Sequence, residues 1–289
     1  MSDVTFTIER TGFPTITLDT EGGGPYGLQV SSAGLGVAPI SPRFLEGAGN
    51  GGIYQGERVG MRPLDLGIIM LGEDRLHVGE LIRDLANLVR ARKNKPLPKL
   101  VATYNTGEVF ELPFVYVSGL ELDYTEALPT MYRAQLSLMC PDPFWTARDA
   151  VTFTIQNNAL VEGLLPDLAE LHVMASSAIG TVPITNPGDV EADVTWRITG
   201  PGGPVTVQVD GVGFVYEAAL AEEEVVIVDG RQKTVIDQDS VSQYANLGTA
   251  PKFPTLPAGA SNVFISMTDA VANVSSVTGF YKPRREVIF

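Results

Sequence analysis

Apolar and polar side chains alternate one by one through much of this chain. In TFTIER, Phe6 and Ile8 stand against Thr5, Thr7 and Glu9, the period-two pattern of a half-buried strand. PTITLDT repeats the pattern until GGGPYG breaks it, and MRPLDLGIIML at 61–71 predicts another strand. The period then changes. In GELIRDLANLVRAR, Leu81, Ile82, Leu85, Leu88 and Val89 fall on one helical face and Arg83, Asp84, Asn87, Arg90 and Arg92 on the other. This spacing predicts an amphipathic helix over 79–94 lying on a sheet, stopped by KPLP at 95–98. Two strands around Asn105-Thr106-Gly107 read as a hairpin.

In YRAQLSLMC, Tyr132, Ala134, Leu136, Leu138 and Cys140 share the predicted buried face. Pro141 and Pro143 then end the strand, because neither can donate to a sheet ladder, and Phe144 and Trp145 bring large rings that need a surface to cover them. MCPDPFW at 139–145 therefore reads as a stiff junction between two domains, 1–147 and 148–289. Beyond it, DVTWRITG sets Val194, Trp196 and Ile198 against Thr195, Arg197 and Thr199, and PVTVQVDG sets Val205, Val207 and Val209 against Thr206, Gln208 and Asp210. Turn signals at Asp210-Gly211 and Asp229-Gly230, with further strands near 223–229, 232–238, 261–267 and 275–283, predict a β-sandwich or jelly roll. The stretch 31–56 shows no such period. Rich in Gly, Ser, Ala and Pro, it reads as a long loop, functional or mobile.

Composition narrows the function classes. Thirty-four acidic residues against 20 basic ones give a net charge of -14, which argues against contacts that neutralise phosphates, so no specific nucleic-acid binding is expected. One cysteine excludes an intrachain disulfide and a multi-cysteine metal site, and fits folding in a reducing cytoplasm. The first residues, MSDVTFTIER, lack a signal-peptide pattern, and no apolar run approaches the roughly 20 residues of a membrane helix. A soluble protein without membrane contact is expected, remaining in the cell that makes it unless it leaves as part of something larger.

The order of features is similar to a known family. The β-rich first half with one amphipathic helix, the strand ending in CPDPFW, NPGDVEADVTWRITGPG at 186–202 and FPTLPAGASNVFISM at 253–267 resemble the distal tail proteins of long-tailed bacteriophages, in particular minor tail proteins of phages of actinobacteria. The resemblance implies a mainly β fold, with a ring-forming N-terminal domain and a C-terminal galectin-like sandwich. It implies a structural virion protein of the tail tip, assembled in the host cytoplasm as a homo-oligomeric ring, a hexamer, between the tail tube protein and the hub or baseplate proteins. The genome would pass through the ring. In some family members the outer domain, or an insertion in it, binds host saccharides; a lectin-like module is the alternative reading.

Candidate chemistry is thin. Gly47, Gly49 and Gly52 match a dinucleotide-binding spacing, but IYQGERVGMRPLDL after them is not helical, so a surface loop is expected. His77, read as just ahead of the helix, and His172, in LHVMA, are the only histidines and read as packing or surface residues. Cys140 is expected to be buried and inert. Asp237 and Asp239, and the run Glu222–Glu224, could serve a glycosidase or a cation, but carboxylates near strand ends more often mark turns. Basic residues gather at Arg83, Arg90, Arg92, Lys93 and Lys95, and again at Lys282, Arg284 and Arg285, where Val287, Ile288 and Phe289 suggest a C-terminus packed back on the protein. No catalytic, cofactor-binding or metal-binding residue is assigned, no cofactor is implied, and the chain is expected not to be an enzyme.

Overall fold

A computed structural model describes residues 4–20, 23–47, 49–90, 93, 95–121, 130–156 and 177–288. They form two compact units, Met1–Arg148 with Arg285–Phe289, and Asp149–Arg284. The second unit thus differs from the expected domain 148–289 chiefly in leaving its last residues to the first. No described helix is long and apolar enough to cross a membrane.

The first unit contains β1 (Val4–Glu9), β2 (Ile16–Leu18), β3 (Tyr26–Leu28), β4 (Ile40–Glu46), β5 (Gly52–Val59), β6 (Arg62–Leu71), α1 (Arg75–Val89), β7 (Lys99–Tyr104), β8 (Val109–Pro113), β9 (Val115–Ser118), β10 (Met131–Cys140) and β11 (Trp145–Ala147). One sheet runs β2-β1-β7-β8-β11 and ends on the two-residue strand Arg284–Arg285; a second runs β3-β6-β10-β9. Phe6 and Ile8 from the first sheet, Leu64, Leu66, Ile68 and Leu136 from the second, and Leu85 and Leu88 from α1 share one core. The alternation in β10 survives intact: its even-numbered residues from Tyr132 to Cys140 are all buried. Trp145, at the end of MCPDPFW, is fully buried in this core, and the Asp142 carboxylate accepts the Phe144 N–H. The hairpin turn between β7 and β8 uses Gly107 at φ 89°, a conformation that favours glycine.

The helix begins four residues earlier than its sequence period suggests and ends at Val89 instead of 94. Asp74 is extended and its side chain accepts the His77 N–H, so it is a true N-cap. His77 accordingly lies in the first turn, not ahead of it, where its Nδ1 accepts the Glu73 N–H. At the other end Arg90 is already extended. The Arg10 guanidinium, 6% exposed and stacked on Phe13, donates to the carbonyls of Asn87, Leu88 and Arg90 and so closes the helix.

The second unit contains β12 (Val151–Gln156), β13 (Ser177–Asn186), β14 (Ala192–Thr199), β15 (Val205–Val209), β16 (Val212–Tyr216), β17 (Val225–Asp229), β18 (Thr234–Asp237), β19 (Thr255–Leu256), β20 (Gly259–Thr268) and β21 (Ser276–Tyr281). A sheet ordered β12-β21-β14-β17-β18, with β19 on β14, and a sheet ordered β13-β20-β15-β16 bury a common core. This is the expected sandwich. Val194, Trp196 and Ile198 face Val205, Val207, Val263 and Ile265 across it, and Trp196 meets Phe153 edge to face with centroids 5.6 Å apart. Asp210 and Gly211, both at positive φ, make the turn between β15 and β16. The NPGD stretch is organised by Asn186, 1% exposed, which donates to the carbonyls of Val190 and Leu256 and accepts the Gly188 N–H. Both amide hydrogens are therefore donated and its oxygen is engaged, and Gly188 lies so close to the Arg284 backbone that a Cβ would meet its carbonyl oxygen at 2.4 Å.

Candidate assembly interface

The stretch read as a loop is not one. β4 and β5 pair antiparallel from Ile40–Val59 to Glu46–Gly52, with a bulge between Arg43 and Phe44 opposite Gly56, which takes φ 112°. They form a two-stranded sheet of their own. The sequence hid this ribbon because alternation marks a strand only where one face is buried, and here every residue of β4 is exposed.

Two adjacent cross-strand pairs near its tip are nonetheless apolar. Phe44 and Tyr54 are cross-strand partners whose rings meet edge to face, centroids 5.9 Å apart; they are 59% and 54% exposed. The next pair, Leu45 and Ile53, is 57% and 65% exposed. Adjacent pairs point to opposite faces of a ribbon, so both faces are apolar. Ile40, Val37 and Met61 extend the exposed apolar surface along the root. A lone hairpin is marginal in water, and contiguous exposed apolar surface marks an interaction site.

Gly47, Gly49 and Gly52 fall at the tip of this ribbon and no helix follows them, so the geometry of a dinucleotide site is absent. Cys140 is fully buried and burial pushes its thiol up to about 12, against a smaller opposing effect of Arg62. It is a thiol at neutral pH. Asp237 closes β18: its carboxylate accepts the N–H groups of Asp239 and Val241 and the Gln243 amide, and these hydrogen bonds, first that of Val241, hold it below the usual carboxylate range. Glu224 likewise accepts the Ala221 N–H. The acidic candidates are turn-makers. Among the described residues no group of three or more His, Cys, Asp or Glu could hold a metal ion.

Of the basic clusters, Arg92 lies outside the described residues, as does His172. Arg285 in the first unit stacks over Phe110 at 4.4 Å with Glu108 at 3.4 Å, while Arg284 in the second lies 3.8 Å from Asp193. Two hollows exist. One of about 1010 Å³ in the first unit is lined by Thr5, Thr15, Thr17, Asp19 and Tyr26, and the Asp19 carboxylate there already accepts the N–H groups of Gly23 and Gly24. The other, about 360 Å³ in the second unit, is lined by Gln208, Phe214, Glu217 and the turn 248–251.

Sequence reading missed Arg10 and Arg62. Their partners are main-chain carbonyls up to 224 residues away, which leave no local signal.

No family model matches the chain, and no curated protein does. Solved structures are similar over almost its whole length. The SPP1 Dit (gp 19.1) protein, described as a paradigm of hub adsorption apparatus in phages infecting Gram-positive hosts, has a TM-score of 0.65 and 16% identity, covering 96% of this chain and 98% of that one. A chain of the phage p2 baseplate in its activated conformation with Sr has a TM-score of 0.53 and 9% identity, covering 99% and 100%. The same baseplate with Ca gives 0.52 and 10%, covering 100% of both. The chain therefore has the fold of phage distal tail (Dit) and baseplate proteins.

Proposed function

We propose that this chain is a structural virion protein of a phage tail tip, and that the β4–β5 ribbon joins it to the next copy of itself. The observation that carries this reading is the two-faced apolar ribbon: covering it needs protein on both sides, which a closed ring of identical subunits supplies to every copy equally. The structural likeness to Dit and baseplate chains supports a place in the tail. The finer reading is a hexameric ring between tail tube and hub, assembled in the host cytoplasm, with the genome passing through it and no catalytic step. The acidic excess suits such a channel, since like charges keep DNA from adhering.

The test is the mass of the purified protein by light scattering at low and physiological salt, with negative-stain images of large species. Ring-sized particles are expected for the unaltered chain, and monomers for the Phe44→Ser/Tyr54→Ser double variant. A chain that stays monomeric at all concentrations, or rings that persist in the double variant, would sink the proposal. The saccharide-binding alternative draws on the hollow lined by Gln208 and Glu217, where an amide and a carboxylate come together. Binding on a glycan array, lost in Gln208→Ala, would favour it.

A further inference from the structure

Arg62 opens β6 three residues after the ribbon ends, and it is fully buried. A buried guanidinium is normally matched by a carboxylate. Here its hydrogen bonds run to main-chain carbonyls, while the Glu286 carboxylate favours its charge from nearby. Nε donates to Pro143 at 2.6 Å, Nη1 to Gly34 at 2.9 Å and also to Gly36, and Nη2 to Glu286 at 2.8 Å.

These carbonyls come from three distant stretches. Gly34 and Gly36 precede the ribbon, Pro143 belongs to MCPDPFW, and Glu286 belongs to the segment by which the chain rejoins the first unit. One side chain thus ties the approach to β4, the exit from β5 and the returning segment. The approach has little freedom of its own. Ala33 and Asp65 exchange N–H···O bonds at 2.7 and 3.0 Å, and Gly34 sits at φ 88° where a Cβ would meet the Pro63 carbonyl oxygen at 2.3 Å. The returning segment is held as well. Ile288 is buried in the first core, the Tyr104 hydroxyl donates to its carbonyl, and Arg285 covers Phe110.

We propose that residues 285–288 are a strap that sets the root of the ribbon through Arg62. The guanidinium is a rigid planar fork, so its donors keep fixed directions. Removing the Glu286 carbonyl leaves a buried donor without an acceptor, and the fork turns or admits water to satisfy it. Gly34 and Gly36 then lose their donor, and the root of the ribbon loosens. The consequence for assembly rests on the ribbon being the self-contact proposed above; the strap itself does not.

Hydrogen exchange on the full chain separates the two. The measurement uses the Phe44→Ser/Tyr54→Ser background, in which no partner covers the ribbon, and compares amides 33–38 with those of α1. Removing 286–289 is expected to speed exchange at 33–38 by roughly tenfold, about the loss of one buried hydrogen bond, with α1 unchanged. In an Arg62→Met background the same removal is expected to add nothing. Unchanged exchange at 33–38, or an equal increase without Arg62, overturns the strap. If the truncation also opens α1, Tyr104→Phe replaces it, since it frees the end of the segment without emptying the core. A smaller increase confined to 33–38 is then expected, and no increase overturns the proposal. With the ribbon intact, truncation should also lower the ring fraction; a loosened root with undiminished rings overturns the link to assembly and leaves the strap standing.

Discussion

The first unit holds two long hairpins of similar size and opposite fate. β7–β8 joins two neighbours in a sheet and buries Leu100, Ala102, Phe110 and Leu112, while β4–β5 pairs with no further strand and exposes Phe44, Leu45, Ile53 and Tyr54. Both turn on glycines at positive φ, Gly107 in one and Gly51 in the other, and both carry apolar residues in cross-strand pairs. Hydrophobic content therefore does not separate them. What separates them is cover: this chain supplies it for β7–β8, whereas none of its described residues covers Phe44, Leu45, Ile53 and Tyr54 of β4–β5. A β7–β8 side chain is expected to stabilise the fold and, in the ring proposed above, a ribbon side chain to stabilise the association, and the two effects can be read out independently.

Three substitutions sharpen that contrast. Leu100→Ala removes a fully buried side chain from the core hairpin and is expected to cost about 2–5 kcal/mol in denaturant unfolding of the monomeric background. A cost below about 1 kcal/mol would mean that this hairpin is no core element.

The second change acts on the outward face of the same hairpin. Glu111, 13% exposed, takes Lys99 Nζ at 2.6 Å and Arg148 Nε at 2.6 Å. Burial pushes its carboxyl up, but the hydrogen bonds and charges of Lys99 and Arg148 outweigh this and hold it below the usual range. A carboxyl lowered by folding adds stability that is present above its unfolded value of about 4.3 and lost as pH falls through the lower folded value. Glu111→Gln removes that dependence. Urea midpoints between about pH 5 and pH 2 should fall less steeply in the variant than in the parent, and parallel curves would refute the assignment.

The smallest effect is expected in the ribbon. Ile53→Ser, at a site 65% exposed, should shift monomer stability by no more than about 0.5 kcal/mol while weakening self-association. A large loss of monomer stability would show that the ribbon is part of this chain's own core, and the contrast between the hairpins would collapse.

Much of the architecture was legible in the residues because each feature had a local cause. β10, β14 and β15 follow their alternation residue for residue, since each buries one face of a pleated strand. The helix face of Leu81, Leu85, Leu88 and Val89 was equally plain, although the cap at Asp74 moved its start and the long-range closure by Arg10 moved its end. The candidate interface was not legible. Residues 40–46 and 52–59 are strands whose only sequence trace, apolar side chains among Gly, Pro and Ser, is also what a loop looks like when no face is buried.

By itself the sequence determined what periodicity and charge can determine: a mainly β chain with one amphipathic helix, two β-rich regions and a strongly acidic surface. Tertiary structure alone decided that residues 285–289 belong to the first unit, that Arg62 gathers four carbonyls, and that the ribbon is left uncovered. The physical reason is range. Periodicity records the burial of a residue relative to its immediate neighbours. The destination of a lone guanidinium, or the lack of any cover for a pair of strands, depends on segments that meet only after the chain has folded.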